Sequence, residues 1–212
     1  MFACQLIAPG APLQETTLSA PAHGPGDVVV AVRAAGVCRS DLHYRTRGLP
    51  VLPRTLGHEI AGIVESVGPG VATVRPGDAV AVHYLVACGR CEGCARGEQF
   101  CRSGQMIGKE RDGGFADRVT VPERNAVPVP AGVPLEVAAI MMCSTATAFH
   151  ALRVGEAAGA DRVAILGFGG LGMSALRLAR AIGLPSPFVV EARPEKRRQA
   201  EALGAVSVSP DE

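Results

Sequence analysis

Tryptophan is absent from this 212-residue chain and aromatics make up only 4% of it, a scarcity that by itself excludes no function. Net charge is missing too: 21 Lys and Arg stand against 20 Asp and Glu, a formal +1, so there is no electrostatic case for nucleic acid or an anionic membrane as partner. No apolar run approaches the roughly 20 residues needed to cross a bilayer. The start MFACQLIAPG has no basic region followed by an apolar one, as a secretory signal would. These absences lead to the expectation of a cytoplasmic protein whose partners are small molecules. A disordered or fibrous bias is also lacking, since 48% hydrophobic and 19% charged residues suffice for a sizeable core in one large domain or two small ones.

What the chain does have is cysteine, seven in all, an odd number that in a reducing compartment favours metal or catalytic roles over disulfides. Four of them lie in CGRCEGCARGEQFC, a C-x2-C-x2-C-x6-C spacing that brings Cys88, Cys91, Cys94 and Cys101 within 14 residues. Zinc has no directional preference from its d electrons, so four thiolates at tetrahedral corners satisfy it, and a glycine-bearing loop supplies them without strain. The competing reading is disulfide pairs or unliganded thiols. A closed site of this kind leaves no position for substrate, so its role is expected to be structural.

The remaining organisation falls into two parts. Up to about residue 130, short β-branched runs (DVVVAVRAAGV, EIAGIVESVGPGV, GDAVAVHYL, FADRVTVP) alternate with Gly/Pro punctuation such as Pro76-Gly77-Asp78, the pattern of a β-rich, barrel-like domain. From Pro134 the stretch PLEVAAIMMCSTATAFHALR has helical periodicity and places Cys143 on or beside a helix. A β-α-β-α succession follows: RVAIL, GLGMSALRLARAIG, FVVEA, PEKRRQAEALG, then AVSVS as the start of a third strand. The domain boundary is expected near residue 150, giving domains of 1–150 and 151–212.

GFGGLG puts Gly167, Gly169 and Gly172 in G-x-G-x-x-G spacing between a strand and a helix, where bare backbone and a helix N-terminus suit a pyrophosphate. Glu191, 19 residues beyond Gly172, sits where an acid accepts hydrogen bonds from the adenosine ribose and repels a 2′-phosphate. NAD is therefore favoured over NADP, with Arg193 softening the discrimination. The alternative for Glu191 is a solvated strand end. Cys38 in GVCRSDLH and His58 in LGHEIAG, each taken alone, read as a buried apolar residue and an ordinary packed or solvated histidine. With Cys143 they would form a Cys2His set that leaves a fourth position on zinc open, but their convergence is not visible in sequence.

In their order along the chain, GVCRSDLH, GHEIAGIVESVGPGV, GDAV, CGRCEGCARGEQFC, GGFADRVTVP and AILGFGGLGMSALRLARAIG resemble the medium-chain, zinc-containing alcohol dehydrogenase family, over essentially the whole sequence. The resemblance implies a GroES-like catalytic domain followed by a Rossmann domain, here partial. It makes Cys38, His58 and Cys143 catalytic zinc ligands, Asp41 the partner of the His58 imidazole, and Glu59 an acid close to the metal. It gives Ser40 and His43 to a proton relay, and Arg39, Thr147, Gly170 and Lys196 to the cofactor alongside the three turn glycines and Glu191. For Asp41 the plain alternative is a turn or cap residue; for Glu59, a strand-end acid; for Arg39 and Thr147, structural positions.

The implied activity is hydride transfer between an alcohol or polyol and NAD, with one catalytic and one structural zinc and an alcohol or aldehyde as substrate. The zinc-free quinone reductase branch is disfavoured, because its members lack the ligands present here. Two departures stand out. Six residues separate Cys94 from Cys101 where the family more often has seven, and the sequence stops at Ser209-Pro210-Asp211-Glu212, well before the family's usual end. The competing expectations are an active enzyme, alone, as a homo-oligomer or with a complementing chain, and an inactive zinc-binding fragment or interaction protein of the same ancestry.

Overall fold

The computed structural model describes residues 1–160 and 162–211. The chain divides into two compact units, Met1–Cys143 and Ser144–Glu212.

The first unit is antiparallel. Strands β1 (Phe2–Leu6), β2 (Gln14–Thr17), β3 (Asp27–Gly36), β4 (Arg54–Thr55), β5 (Glu59–Val67), β6 (Ala79–Val82), β7 (Leu85–Val86), β8 (Gln105–Met106), β9 (Arg118–Pro122) and β10 (Ala126–Pro128) form three sheets. The main one has the order β10-β6-β5-β3-β9, the others β2-β1-β4 and β7-β8. Alternation in sequence explains its two faces. On one, Val28, Val30, Ile60, Val64, Val80, Val82, Val119 and Val121 form the core. The intervening small residues Ala61 and Ala81 leave room on the other face, where Ala138 and Ala139 of helix α3 pack. Strand side chains alternate between faces, so branched residues fill a barrel interior while alanines admit a helix at close range. Register shifts at Val29/Val30 and Val32/Ala34 bend β3, and the sheet curls into a half-barrel.

Helices in this unit are α1 (Arg39–Arg47), α2 (Glu92–Arg96) and α3 (Leu135–Ile140). α1 does not figure in the β-rich reading of the sequence, because RSDLHYRTR is polar on nearly every side and Asp41 is its one buried residue. After α3 a π-helical turn, Met141–Thr145, leads into α4 (Ala146–Val154). The expected long helix is thus three pieces, with Cys143 in the π turn.

The combined stretch Leu135–Val154 is, by length and composition, apolar enough to cross a membrane. This corrects the expectation that no segment comes near that length: Cys, Ser, Thr and His interrupt the apolar run without making it polar on average. Its early alanines pack on the sheet of this unit.

The second unit continues with β11 (Ala164–Leu166), α5 (Gly170–Ala181), β12 (Phe188–Val190), α6 (Pro194–Ala202) and β13 (Val206–Val208). Its strands pair in parallel in the order β11-β12-β13, the start of a Rossmann-like sheet. Phe168, Leu176, Val189 and Ala200, all fully buried, make its core. Each element lies within a few residues of its place in the sequence reading.

Candidate metal centres and nucleotide turn

Cys38 is the residue before α1, at the end of the β3 edge; His58 and Glu59 lead into β5; Cys143 lies in the π turn after α3. Four separate stretches thus meet at one point. A ligand atom from each of Cys38, His58, Glu59 and Cys143 lies within 4.8 Å of all the others. Cys38 Sγ is 3.9 Å from Cys143 Sγ, and Cys143 Sγ is 3.5 Å from His58 Nε2. A disulfide would need about 2.05 Å. Bonds of about 2.3 Å from zinc to sulfur and about 2.0 Å to nitrogen put tetrahedral corners roughly 3.5 to 3.8 Å apart. The donor set therefore fits a tetrahedral metal better than a crosslink.

Asp41 fixes the imidazole. Its Oδ1 lies 3.1 Å from His58 Nδ1 and accepts the Gly57 N–H at 3.3 Å, while Oδ2 accepts the Cys38 N–H at 2.9 Å. With Nδ1 committed to the carboxylate, Nε2 faces Cys143. Burial alone would lower the His58 pKa, but hydrogen bonding to Asp41 and Cys143 overrides it and lifts the value to about 11. Burial pushes the Cys38 thiol up, yet hydrogen bonds from Ser40 and His58 bring it below its ordinary value. Cys143 stays above its ordinary value through burial, with the Cys38 charge adding to the effect and His58 opposing it.

Glu59 is buried, and burial raises its carboxyl pKa. Its side chain lies over bare backbone: a Cβ on Gly36 would stand 2.1 Å from Glu59 Oε2. Ser40 Oγ is 3.8 Å from Cys38 Sγ, and His43 is exposed three residues along the same helix. A cavity of about 430 Å³ opens here, lined by Val37, Cys38, Arg39, Leu42, His43 and Thr46.

The second cysteine set converges as well. Cys88, Cys91, Cys94 and Cys101 offer sulfurs within 4.8 Å of one another, with Cys88–Cys94 at 3.8 Å, Cys91–Cys94 at 3.5 Å and Cys91–Cys101 at 4.0 Å. Cys101 is in place despite the six-residue spacing. Backbone N–H groups point at the sulfurs: Cys88 N–H to Cys101 Sγ at 3.3 Å and Cys94 N–H to Cys91 Sγ at 3.4 Å. Such donors favour the thiolate. N–H groups of Arg90 and Cys91 bring the Cys88 thiol down to about 6, while burial and the neighbouring thiols raise Cys94 to about 11. Arg124 fastens the lobe to the sheet by donating to Ala87 O at 3.0 Å and pairing with Glu98.

In the second unit Gly167 has φ +90°, and a Cβ on Gly172 would lie 2.0 Å from Gly167 O, so the turn and α5 touch backbone to backbone. Over Gly169 and Gly170 an added Cβ would meet nothing within 4 Å. No side chain caps α5. Bare backbone, free N–H groups and open space at a helix N-terminus fit a phosphate group. Glu191 lies just past the end of β12, buried rather than a solvated strand end. Its Oε2 accepts the Phe168 N–H at 2.8 Å and its Oε1 the Arg193 N–H at 3.0 Å; these bonds hold its carboxyl below the usual range. Arg193 Nε is 3.5 Å from Glu191 Oε1.

Among the other sequence candidates, Arg39 and Thr147 are exposed, on α1 and α4, and Lys196 is half-buried on α6. Sequence reasoning did not find Tyr84, whose ring meets His58 edge-on at 5.6 Å, nor Gly36 and Gly57 as the backbone on which Glu59 and Asp41 rest. Their positions depend on pairings across the sheet that leave no local pattern.

The family model for the alcohol dehydrogenase GroES-like domain matches residues 24–131. An alcohol dehydrogenase of Geobacillus stearothermophilus is 38% identical over 199 residues, covering 92% of this chain and 59% of that protein. NADP-dependent alcohol dehydrogenase C of Mycobacterium bovis is 39% identical over 184 residues, covering 81% of this chain and 53% of that one. Among solved structures, galactitol-1-phosphate dehydrogenase from Escherichia coli superposes with a TM-score of 0.93 at 31% identity, covering 99% of this chain and 61% of its own. The chain thus spans between half and two thirds of the length of these proteins. With its β-barrel unit matched across more than half of all residues, the chain belongs to the alcohol dehydrogenase family that carries a GroES-like domain.

Proposed function

We propose that this chain holds the metal and adenosine-binding parts of a zinc-dependent oxidoreductase that moves hydride between an alcohol and a nicotinamide cofactor. The observation that carries the reading is the convergence of Cys38, His58 and Cys143 at tetrahedral-edge separations, beside a cavity and a buried carboxylate. Zinc held there would supply Lewis acidity that lowers the pKa of an alcohol hydroxyl, and the nicotinamide would take the hydride.

The chain's own residues do the rest. Cys38 and Cys143 serve as thiolates, and His58 as a neutral imidazole whose Nδ1–H is held by Asp41. Ser40 receives the proton of the alcohol and His43, exposed on the next turn, hands it to solvent. Glu59 stands close enough to exchange with a metal ligand. Cys88, Cys91, Cys94 and Cys101 hold a second zinc whose four positions are filled, a brace for the lobe.

Gly167, Gly169, Gly170 and Gly172 with the α5 N-terminus receive the pyrophosphate, and Glu191 the ribose. Each Glu191 oxygen already holds one N–H and keeps a lone pair for a ribose hydroxyl. A carboxylate repels a 2′-phosphate, so NAD is the preferred cofactor, although Arg193 partly screens it. Arg39, Thr147 and Lys196 complete the cofactor contacts.

The test is elemental analysis of the purified chain, with NAD-dependent alcohol oxidation followed on the same sample. Two zincs per chain with turnover support the proposal. Zinc without turnover makes this chain a metal-binding protein of dehydrogenase descent that does not catalyse by itself.

A further inference from the structure

Beside the Cys38–His58–Cys143 cluster lies a polar assembly that neither metal ligation nor nucleotide binding uses. Residues 106–111 make a tight turn in which the N–H groups of Lys109 and Arg111 both donate to Met106 O, at 3.2 and 3.1 Å, and Gly108 N–H donates to Arg111 O at 2.8 Å. The turn is pressed onto the segment that carries His58. A Cβ on Gly108 would stand 2.8 Å from Gly57 O, and Gly114 N–H donates to that same oxygen at 2.9 Å. From its other end Ile107 N–H donates to Tyr84 O at 2.9 Å, and the Tyr84 ring is the one set edge-on against His58.

At the tip, Lys109 Nζ pairs with Glu110 Oε1 at 2.8 Å, and Glu110 Oε2 accepts the Met106 N–H at 2.8 Å. The carboxylate is therefore fixed from behind and the ammonium from the side. Both side chains are about one-third exposed. Tyr44, one helical turn after Ser40 and Asp41, is half-buried within electrostatic range of Lys109, Glu110, Asp41 and Tyr84.

An ammonium with two donors to spare, a held carboxylate with free lone pairs and a phenol offer donors and acceptors side by side. Neighbouring hydroxyl groups, each both donor and acceptor, match that pattern. An alkyl chain placed there would strip water from an ion pair and return nothing. An anionic substituent would meet Glu110 along with Lys109, so its charge gains little.

We propose that the Lys109–Glu110 pair, with Tyr44, forms a specificity-determining wall beside the metal cluster that selects alcohols bearing further hydroxyl groups, that is polyols, over monohydric alcohols. The proposal rests on the reading of the Cys38–His58–Cys143 site as an alcohol site. The experiment is a titration of the cobalt(II)-loaded full chain with 1-propanol and, separately, with xylitol, following the visible bands of the cobalt.

The expected result is that xylitol perturbs the bands at lower concentration than 1-propanol, and that Lys109→Gln and Glu110→Gln each shrink that preference about tenfold, the loss of one charged hydrogen bond. Glu110→Gln keeps an oxygen for the Met106 N–H, and Lys109→Gln leaves the turn's backbone bonds in place. Circular dichroism checks that both are folded. A response to 1-propanol with no preference for xylitol, or a preference that survives both substitutions, overturns the wall and leaves the alcohol site standing. Silence toward both alcohols overturns the two together.

Discussion

Asp41 Oδ1 and His58 Nδ1 lie 3.1 Å apart, both side chains almost wholly buried, while the second Asp41 oxygen accepts the N–H of Cys38. One carboxylate thereby caps helix α1, positions the backbone of one metal ligand and orients the ring of another. The two readings of Asp41 open in the sequence, cap and imidazole partner, describe the same side chain.

Asp41→Asn keeps the shape but replaces an acceptor oxygen by an amide that also donates, so one of its three N–H partners loses its bond. Loss of an outer partner of a ligating histidine typically costs about 10- to 100-fold in metal affinity. The expected outcome is zinc retention weaker by that order at one site per chain, read by competition with a graded chelator, with the cysteine lobe still loaded.

Gly36→Ala tests the seat of Glu59. The new Cβ would fall 2.1 Å from Glu59 Oε2 and 3.1 Å from an Ile140 methyl. Overpacking of this kind costs about 1 to 3 kcal/mol, and urea denaturation should show a loss in that range. Adding Glu59→Ala removes the nearer clash, so the double variant is expected to regain part of that loss.

The glycines of the nucleotide turn separate fold from function. Gly172→Ala drives a Cβ to 2.0 Å from Gly167 O and should lower the melting temperature even without nucleotide. Gly170→Ala meets nothing within 4 Å, so the melting temperature without nucleotide should hold. Its methyl takes the space proposed for the pyrophosphate, and calorimetry should find NAD binding weakened.

Acid sensitivity follows from two carboxylates held below their usual range. Glu123 accepts the N–H groups of Thr73 and Ala72, and Glu191 those of Arg193 and Phe168. A depressed folded-state pKa contributes stability that is complete above the unfolded value, about 4.3 for Glu, and is lost as pH falls through the folded value. Melting temperature should be level from neutral pH to about 5 and fall below about 4. Glu191→Gln with Glu123→Gln should flatten part of that fall.

What could be read from the sequence was what is local. Val28, Val30, Val80 and Val82 announce their strands by alternation, and Gly167 to Gly172 announce a turn because strand, glycines and helix are consecutive. The four clustered cysteines needed only their spacing. Cys38 and Cys143, 105 residues apart, and His58 and Cys143, 85 apart, have no local signature, and it took a family resemblance to bring them together. Helix α1 escaped because its stability comes from the cap at Asp41 and not from an apolar face. Lys109 and Glu110 passed unnoticed because an adjacent pair of opposite charges looks like solvated surface until the turn that carries it is placed against Gly57.

The contrast between the two cysteine sites also sets an order in time. Closing the loop from Cys88 to Cys101 restrains few residues, and the entropic cost of closure grows with loop length. The lobe can capture its ion while the chain is still emerging and the barrel unformed, whereas the other set has to wait for Cys143, synthesised 105 residues after Cys38. When zinc is scarce, the lobe fills first, and the newly made protein accumulates folded, braced and without the ion on which its chemistry depends.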